Sequence, residues 1–330
     1  MPEKSRHPHG SPKPASSSAL TVGFDIGGTN VRAALVADDG GIVDWCSTRT
    51  PHSADELTQL ICDIVEDYRQ RHNIVAVGLA IAGFLDPSCE TVRFAPHLPW
   101  RDDAAVKALL EKKLGLPVRL EHDANSAAWG EYTYGAARNA HTWVFFAVGT
   151  GIGATLMHNG EIYRGAFGTA PEFGHIVVVP DGRVCSCGKK GCLERYASGT
   201  ALVDTAVEVA GQGSFKKCGL YRKVVDKRAD GHDIMAAARA GDALGQATIE
   251  RFAHWLGHGL SMVADILDPE LIVLGGGVSA DADLFLDTAR DEMAAGIVGA
   301  GYRPLPKVTT AELGPEAGMI GVADLARRDA

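Results

Sequence analysis

No run of apolar residues in the sequence approaches the roughly 20 needed to cross a bilayer, so the chain is not expected to span a membrane. Positive charge is also scarce. Its 32 lysines and arginines stand against 41 acidic residues, for a formal net charge of −9, without the clustered lysines and arginines that phosphate binding needs. That excludes a general nucleic-acid surface and suits an ordinary cytoplasmic enzyme. Cysteines number seven in 330 residues and no secretory segment precedes them, so disulfides are not expected. Cys46, Cys62, Cys89 and Cys218 stand alone among apolar or mixed neighbours and read as buried or inert thiols. Residues 1–19 are rich in Pro, Ser, His and Lys without an apolar stretch, and read as a disordered tail, not a signal peptide. Aromatics are only 7%, but a total apolar content of 46% is ordinary for a globular chain long enough for two lobes.

Glycine, by contrast, is plentiful where apolar runs stop. One run ends at Asp25, turns through Gly27, Gly28 and Thr29, and resumes from Asn30 as NVRAALVA, with the period-two spacing of a β-hairpin. A glycine turn has no Cβ in the way, so its N–H groups can reach phosphate oxygens, and Asp25 at its mouth can hold a hydrated Mg2+. A Gly-Gly hairpin alone is a turn before it is a phosphate site. The pattern recurs, however: WVFFAV leads into Gly149, Thr150, Gly151, Ile152 and Gly153 and a second β-run. Two such units predict two related lobes facing each other over a shared phosphate. LIVLGGGVS is a buried strand running into Gly275, Gly276 and Gly277, where the backbone can approach a ribose or flat ring, and an amphipathic helix follows.

Between these motifs, residues 53–72 carry a helical stripe (Leu57, Leu60, Ile61, Ile64, Val65, Tyr68) and IVAVGLAIAG reads as a buried strand. Residues 84–100 read as a loop with short extended pieces and 104–114 as a helix. PVRLEHDANSAAWGEYTYG then runs from strand to helix, with Asp123 at the junction, either facing a cleft or capping the helix. Helices are expected over 201–210, 233–240 and 242–267, a polar surface loop over 211–231, a strand over 308–311 and a closing helix over 316–328.

The stretch from Glu172 to Glu194 is the most compact chemically. His175 is followed by Cys185, Cys187 and Cys192 with glycines between them, a donor set that suits tetrahedral Zn2+ with a full shell and therefore a structural ion. Scattered thiols are the alternative. Glu172, His175 and Glu194 flank the ion and would form a stiff platform for hydrogen bonds to a polyol, or else Glu172 and Glu194 are merely solvated or salt-bridged.

Together, DIGGTN (25–30), GTGIG (149–153), GGGVS (275–279), EHDANSAAWGE (121–131), EFGH and CSCGKKGCLE resemble the ROK family of sugar kinases, a branch of the actin, heat-shock 70 and hexokinase superfamily. AGFLD, VRFAPHLPWRD and GVADLAR resemble its glucose-phosphorylating bacterial members. The resemblance runs from about Leu20 to Arg327. It implies an α/β, two-lobed ribonuclease-H-like/actin-like ATPase fold with a ligand cleft, its small lobe formed by 20–120 with 315–330 and its large lobe by 121–314. It implies ATP and Mg2+ held by Asp25, Gly27, Gly28, Thr29, Asn30, Gly149, Thr150, Gly151, Gly153 and Gly275 to Gly277. Zinc would sit on His175, Cys185, Cys187 and Cys192. Asp123 would be the base for the 6-hydroxyl of a hexose, expected to be glucose, held by Gly83, His122, Asp123, Glu172, His175 and Glu194. Members of the family are usually dimers or dimers of dimers.

Two positions depart from the family pattern. His122 stands where asparagine is usual before the catalytic aspartate, and His97 where the glucokinase-like members read asparagine. The competing expectations are an N-acetylmannosamine or N-acetylglucosamine kinase and a sugar-responsive repressor, for which the roughly nineteen residues before the first strand are too few to form a DNA-binding domain. Inorganic polyphosphate as donor would need a basic channel, and Arg32, Arg138 and Arg164 are too scattered to form one.

Overall fold

The computed structural model describes residues 19–330, so all but the last residue of the expected tail lies outside the described residues. From Leu20 the chain forms β1 (Leu20–Ile26), β2 (Asn30–Val36), β3 (Ile42–Arg49), α1 (Ala54–Arg69), β4 (Ile74–Ile81), β5 (Phe84–Leu85), β6 (Val92–Phe94), β7 (Arg101–Ala104), α2 (Val106–Leu114), β8 (Val118–His122) and α3 (Asp123–Tyr134). It continues through β9 (Thr142–Val148), β10 (Ile152–His158), β11 (Glu161–Tyr163), α4 (Glu194–Ala197), α5 (Gly199–Ala210), α6 (Tyr221–Val225), α7 (Gly231–Arg239), α8 (Ala243–Leu267), β12 (Leu271–Gly275), α9 (Leu286–Gly296), β13 (Lys307–Thr310) and α10 (Ala317–Arg328).

By contact the chain divides into two units. One runs to Asn139 and adds Gly160–Pro171 and Glu312–Ala330; the other comprises Ala140–Asn159 and Glu172–Ala311. In the first, the strand order is β3-β2-β1-β4-β8, antiparallel through β1 and parallel from β1 to β4 and β8. In the second, β10-β9-β12-β13 repeats the plan of β2-β1-β4-β8, an antiparallel pair followed by parallel neighbours. This shared plan is the structural form of the duplication expected from the two glycine hairpins.

The first sheet is buried on both faces, which is why β1 and β4 read as near-continuous apolar runs. Leu57, Ile61, Ile64 and Val65 of α1 pack on one face with Val22, Phe24 and Leu79. On the other, α10 comes so close that a Cβ on Gly23 or Gly78 would lie 2.0 or 2.2 Å from the Met319 or Val322 carbonyl oxygen. These two glycines are register partners on β1 and β4, so a helix-wide strip of the sheet has no side chains. Helix α10 also meets α3 closely, since a Cβ on Gly321 would sit 1.8 Å from Ser126 O. Asp324 of α10 fastens the pair by accepting from Trp129 Nε1 (2.9 Å) and the Tyr134 hydroxyl (2.7 Å). That packing puts α3 in the first unit, whereas the sequence reading began the second lobe at Glu121.

Smaller differences have local causes. The short extended pieces expected within 84–100 are β5 and β6, which pair with β7 as a three-stranded antiparallel sheet, and β7 delays α2, expected from 104, to Val106. The polar segment 211–231 contains the short α6, anchored by buried Leu220 and Val224. The helix expected directly after the triple glycine starts only at Leu286, behind a 3-10 segment at Gly277–Leu284. Cys46 and Cys89 are buried and Cys62 and Cys218 partly so, none in a disulfide. Among the described residues no helix is long and apolar enough to cross a membrane.

Candidate functional site

In the first unit, strand register brings together residues far apart in sequence. Asp25 of β1 aligns with Ala80 of β4 and Ala80 with Glu121 of β8; one step on, Ile26 aligns with Ile81 and Ile81 with His122. The three parallel strands therefore end together, delivering the Gly27–Thr29 turn, Gly83 and Asp123 to one edge of the sheet. The turn is fixed by Gly27 N–H to Asn30 O (3.0 Å), Thr50 N–H to Thr29 O (2.9 Å) and the Thr50 hydroxyl to Gly27 O (2.5 Å). Asn30 is already the first residue of β2. His97 packs against this turn, its Cβ 2.6 Å from where a Cβ on Gly28 would stand, and Gly83 is pressed against Phe94 O and Ala95.

Asp25 is not free, because Arg32 binds its Oδ2 through Nε (3.1 Å) and a closer terminal nitrogen. Burial raises the Asp25 carboxyl, Arg32 opposes this, and the charge of Asp123 adds to the rise, for a net upward shift. A carboxylate at the mouth of a glycine turn is of the kind that could hold a hydrated magnesium ion, and the bonds from Arg32 go to Oδ2, not Oδ1.

Asp123 opens α3 but does not cap it. The N-cap is His122, whose Nδ1 accepts from Ala124 N–H at 3.3 Å, while Asp123 Oδ1 accepts from the same N–H at 2.7 Å. The Asp123 side chain is 45% exposed, open to a ligand at its second oxygen.

Sequence reasoning missed Glu121. Its side chain has no solvent exposure, and Arg164 grips it with two bonds of 2.6 Å, one to each oxygen. Arg119, Asn125 Nδ2 and the His122 N–H also donate to it, at 3.1, 3.0 and 3.0 Å. Burial pushes the Glu121 carboxyl up, but Arg164, with Arg119 and Asn125, outweighs burial and holds it below the ordinary glutamate value. The residue preceding the His122-Asp123 pair is thus locked to the 160–171 segment. No spacing rule signals an ion pair between residues so far apart in the chain.

In the second unit the glycine turn is shorter than read. Gly149 N–H bonds Gly151 O at 2.9 Å, and Ile152 and Gly153 already belong to β10, opposite Val148 and Ala147. Gly199 N–H binds Gly149 O at 2.7 Å and the Thr200 hydroxyl binds Thr150 O at 2.8 Å. Gly275 pairs with Ala147 in the parallel β9–β12 ladder, so the triple glycine and the Gly149 turn leave the same end of this sheet. Gly276 has φ +83° and a Cβ there would lie 2.5 Å from Val148 O, so only glycine fits; above Gly277 a Cβ would meet nothing within 4 Å.

His175, in a 3-10 turn over Phe173–His175, meets the three cysteines. One ligand atom from each of His175, Cys185, Cys187 and Cys192 lies within 4.8 Å of all the others. Nδ1 of His175 is 3.6 Å from Cys185 Sγ, and Cys187 Sγ is 3.6 Å from Cys192 Sγ. A tetrahedron with zinc–sulfur bonds of about 2.3 Å has edges of about 3.8 Å, so the donors fit zinc in kind and spacing. Burial, reinforced by the Cys187 and Cys185 thiols, pushes Cys192 up to about 12, so a metal must displace a proton there. Nε2 of His175 lies 3.9 Å from Glu172 Oε2. Glu194 is partly committed: Oε2 accepts from Ile152 N–H at 2.9 Å, Oε1 is 4.0 Å from Cys185 Sγ, and a Cβ on Gly151 would stand 2.3 Å from Oε2. One carboxylate therefore joins the cysteine cluster to the second glycine turn.

The comparisons with known proteins agree with these motifs. The chain is 40% identical over 311 residues to a protein named glucokinase from Streptomyces coelicolor, covering 93% of this chain and 98% of the relative. A ROK family glucokinase from Streptomyces griseus, solved with glucose and AMPPNP, superposes with a TM-score of 0.82 at 40% identity, covering 94% of this chain and 100% of that one. A ROK hexokinase from Thermus thermophilus superposes with a TM-score of 0.76 at 29% identity, over 94% and 98% of the two chains. These neighbours carry the actin-like ATPase fold, and the two units share its strand plan. The profile of the ROK family matches residues 21–329, and the chain belongs to that family.

Proposed function

We propose that the protein transfers the γ-phosphoryl group of ATP to the 6-hydroxyl of a hexose, with D-glucose as the preferred sugar. The observation that carries this reading is 40% identity, along nearly the whole chain, to a glucokinase and to a structure that holds glucose and AMPPNP. The site geometry is consistent with it. Asp123 accepts the hydroxyl proton as the oxygen–phosphorus bond forms and the bond to ADP breaks, its electron pair leaving with ADP. This chemistry rests on positioning and charge stabilisation, which backbone donors, a magnesium ion and one carboxylate can supply. Asp25 would hold a hydrated magnesium ion, which would offset charge on the phosphates. The turns at Gly27 to Asn30 and Gly149 to Gly153 hold phosphates, and Gly275 to Gly277 admit the adenosine.

Gly83, His122, Glu172, His175 and Glu194 bind sugar hydroxyls, and each such bond discriminates against a ligand lacking that hydroxyl. Zinc would be held by His175, Cys185, Cys187 and Cys192 and would clamp the loop in a structural role. ATP is the donor in this reading, supported by the AMPPNP in the Streptomyces griseus structure, and the pairing of Arg32, Arg138 and Arg164 with Asp25, Glu312 and Glu121 gives no support to a basic channel for polyphosphate.

Steady-state ADP formation with MgATP against glucose, mannose, N-acetylglucosamine and N-acetylmannosamine tests the reading. The highest kcat/KM is expected for glucose; an acetylated sugar in first place would make the chain an N-acetylhexosamine kinase. Cys187→Ser is expected to abolish stoichiometric zinc by elemental analysis and to weaken glucose binding by roughly tenfold or more, as loss of a supporting shell does. It should weaken AMPPNP binding too, since Glu194 ties the cluster to the Gly149–Gly151 turn. Metal-free protein with undiminished affinity for both ligands would contradict this.

A further inference from the structure

Asp123 takes its direction from the backbone on either side of it. Its side chain is 45% exposed, and Oδ1 accepts from the N–H of the next residue, Ala124. Both flanks are tied to one buried carboxylate. Glu121 Oε1 accepts from the His122 N–H, just before Asp123, and from Asn125 Nδ2, two residues after it in the first turn of α3, each at 3.0 Å. A carboxylate that brackets a strand-to-helix junction in this way fixes the junction only as firmly as the carboxylate is itself fixed.

That firmness comes from Arg164. Arg119 divides its guanidinium between Glu121 and Asp329, whereas Arg164 places one terminal nitrogen on each Glu121 oxygen, the planar fork that matches a carboxylate. Arg164 is held in turn by a closed loop: Ala170 N–H binds Arg164 O at 3.1 Å, with Gly165 and Gly168 at φ +67° and +80°. The 160–171 segment lies against its own unit at two further points. A Cβ on Gly168 would stand 3.0 Å from Pro87 Cα, and one on Gly160 2.8 Å from the hydroxyl of Tyr132 in α3. The segment thus meets α3 along its body and, through Glu121, at its head.

We propose that Arg164 aims Asp123, acting through Glu121: with the fork in place the junction holds the Asp123 carboxylate in the direction from which it takes the hydroxyl proton, and without it the carboxylate is present but misaimed. This rests on Asp123 being the base of the proposed reaction. Arg164 acts through another residue and is therefore a positioning residue. Its effect falls on turnover because a base contributes only when it meets the reacting proton at hydrogen-bonding distance and angle.

A double-mutant cycle tests this. Arg164→Lys keeps the charge and loses the fork. At a temperature where thermal melts show the variant fully folded, its kcat with saturating glucose and MgATP is expected to fall by about ten- to a hundredfold, the cost of a small misplacement of a reacting group. In an Asp123→Asn background the same substitution is expected to change the residual kcat by no more than about twofold, because no base is left to aim. Equal losses in the two backgrounds, or an undiminished kcat in Arg164→Lys alone, would overturn the positioning role. Asp123→Asn by itself separates the two levels: retained turnover removes the base and its positioning together, whereas lost turnover with equal losses in the cycle removes the positioning alone. Chemical rescue supplies a second readout, since Arg164 is 22% exposed and a solvent cation can reach the space left by Arg164→Ala. Methylguanidinium is expected to restore part of kcat in Arg164→Ala and none in Asp123→Asn; a melting temperature that recovers in Arg164→Ala while kcat does not would contradict the positioning.

Discussion

Asp123→Asn is expected to lower kcat for glucose with MgATP by about 10²- to 10⁴-fold, the usual contribution of a positioned general base. The amide keeps the reach and one acceptor oxygen of the carboxylate, so the Ala124 N–H bond at the start of α3 can survive the change. What it loses is the ability to take the hydroxyl proton. Glucose binding, followed by intrinsic fluorescence or calorimetry, should therefore change far less than turnover. A loss confined to kcat is the signature of an interaction made in the transition state. Near-normal turnover would place the base elsewhere, and a large loss of affinity with kcat retained would make Asp123 a sugar ligand only.

The second large effect is on stability. Arg164→Ala removes both 2.6 Å bonds from a carboxylate that has no solvent exposure, leaving Arg119 and Asn125 to compensate. Breaking a buried ion pair from one side costs about 3–5 kcal/mol, and the partial compensation favours the lower end. Urea unfolding at pH 7 measures it, and a loss below about 1 kcal/mol would mean the pair behaves like a surface bridge.

The pair also has a pH signature. Glu121 is held below its ordinary value in the folded state, so its contribution is complete above the unfolded glutamate value of about 4.3 and is lost as pH falls from there through the folded value. Wild type and Arg164→Ala should therefore converge in stability under acid and diverge toward neutrality. Glu121 precedes the His122-Asp123 pair, so the variant is also expected to turn over more slowly than wild type at temperatures where both are folded.

The glycine turns, the His175 and cysteine cluster and the Asp123 junction are legible in the sequence because each is local. A hairpin announces itself through period-two spacing on either side of glycine, and a metal knuckle through a few ligands within a short span. What escapes is set by long-range pairing. That Asp25, Gly83 and Asp123 share an edge depends on the registers of β1, β4 and β8, which no single segment encodes. The Glu121–Arg164 clamp joins residues 43 apart and leaves no pattern in either neighbourhood. The strands β5 to β7 have only two to four residues each, too few for alternation to show. The placement of α3 follows from the small residues through which it meets α10, visible only once Gly321 and Ser126 are side by side. Of the two roles open to Asp123, facing a cleft or capping α3, the N-cap position falls to His122, whose Nδ1 accepts from Ala124 N–H.

The measurement that bears most directly on the central claim is 31P NMR of the protein with glucose and MgATP. A phosphomonoester resonance of glucose 6-phosphate growing in step with ADP, and absent with Asp123→Asn, is the predicted result. ADP appearing with inorganic phosphate alone, or no loss of ATP with any hexose by the wild-type protein, would contradict it.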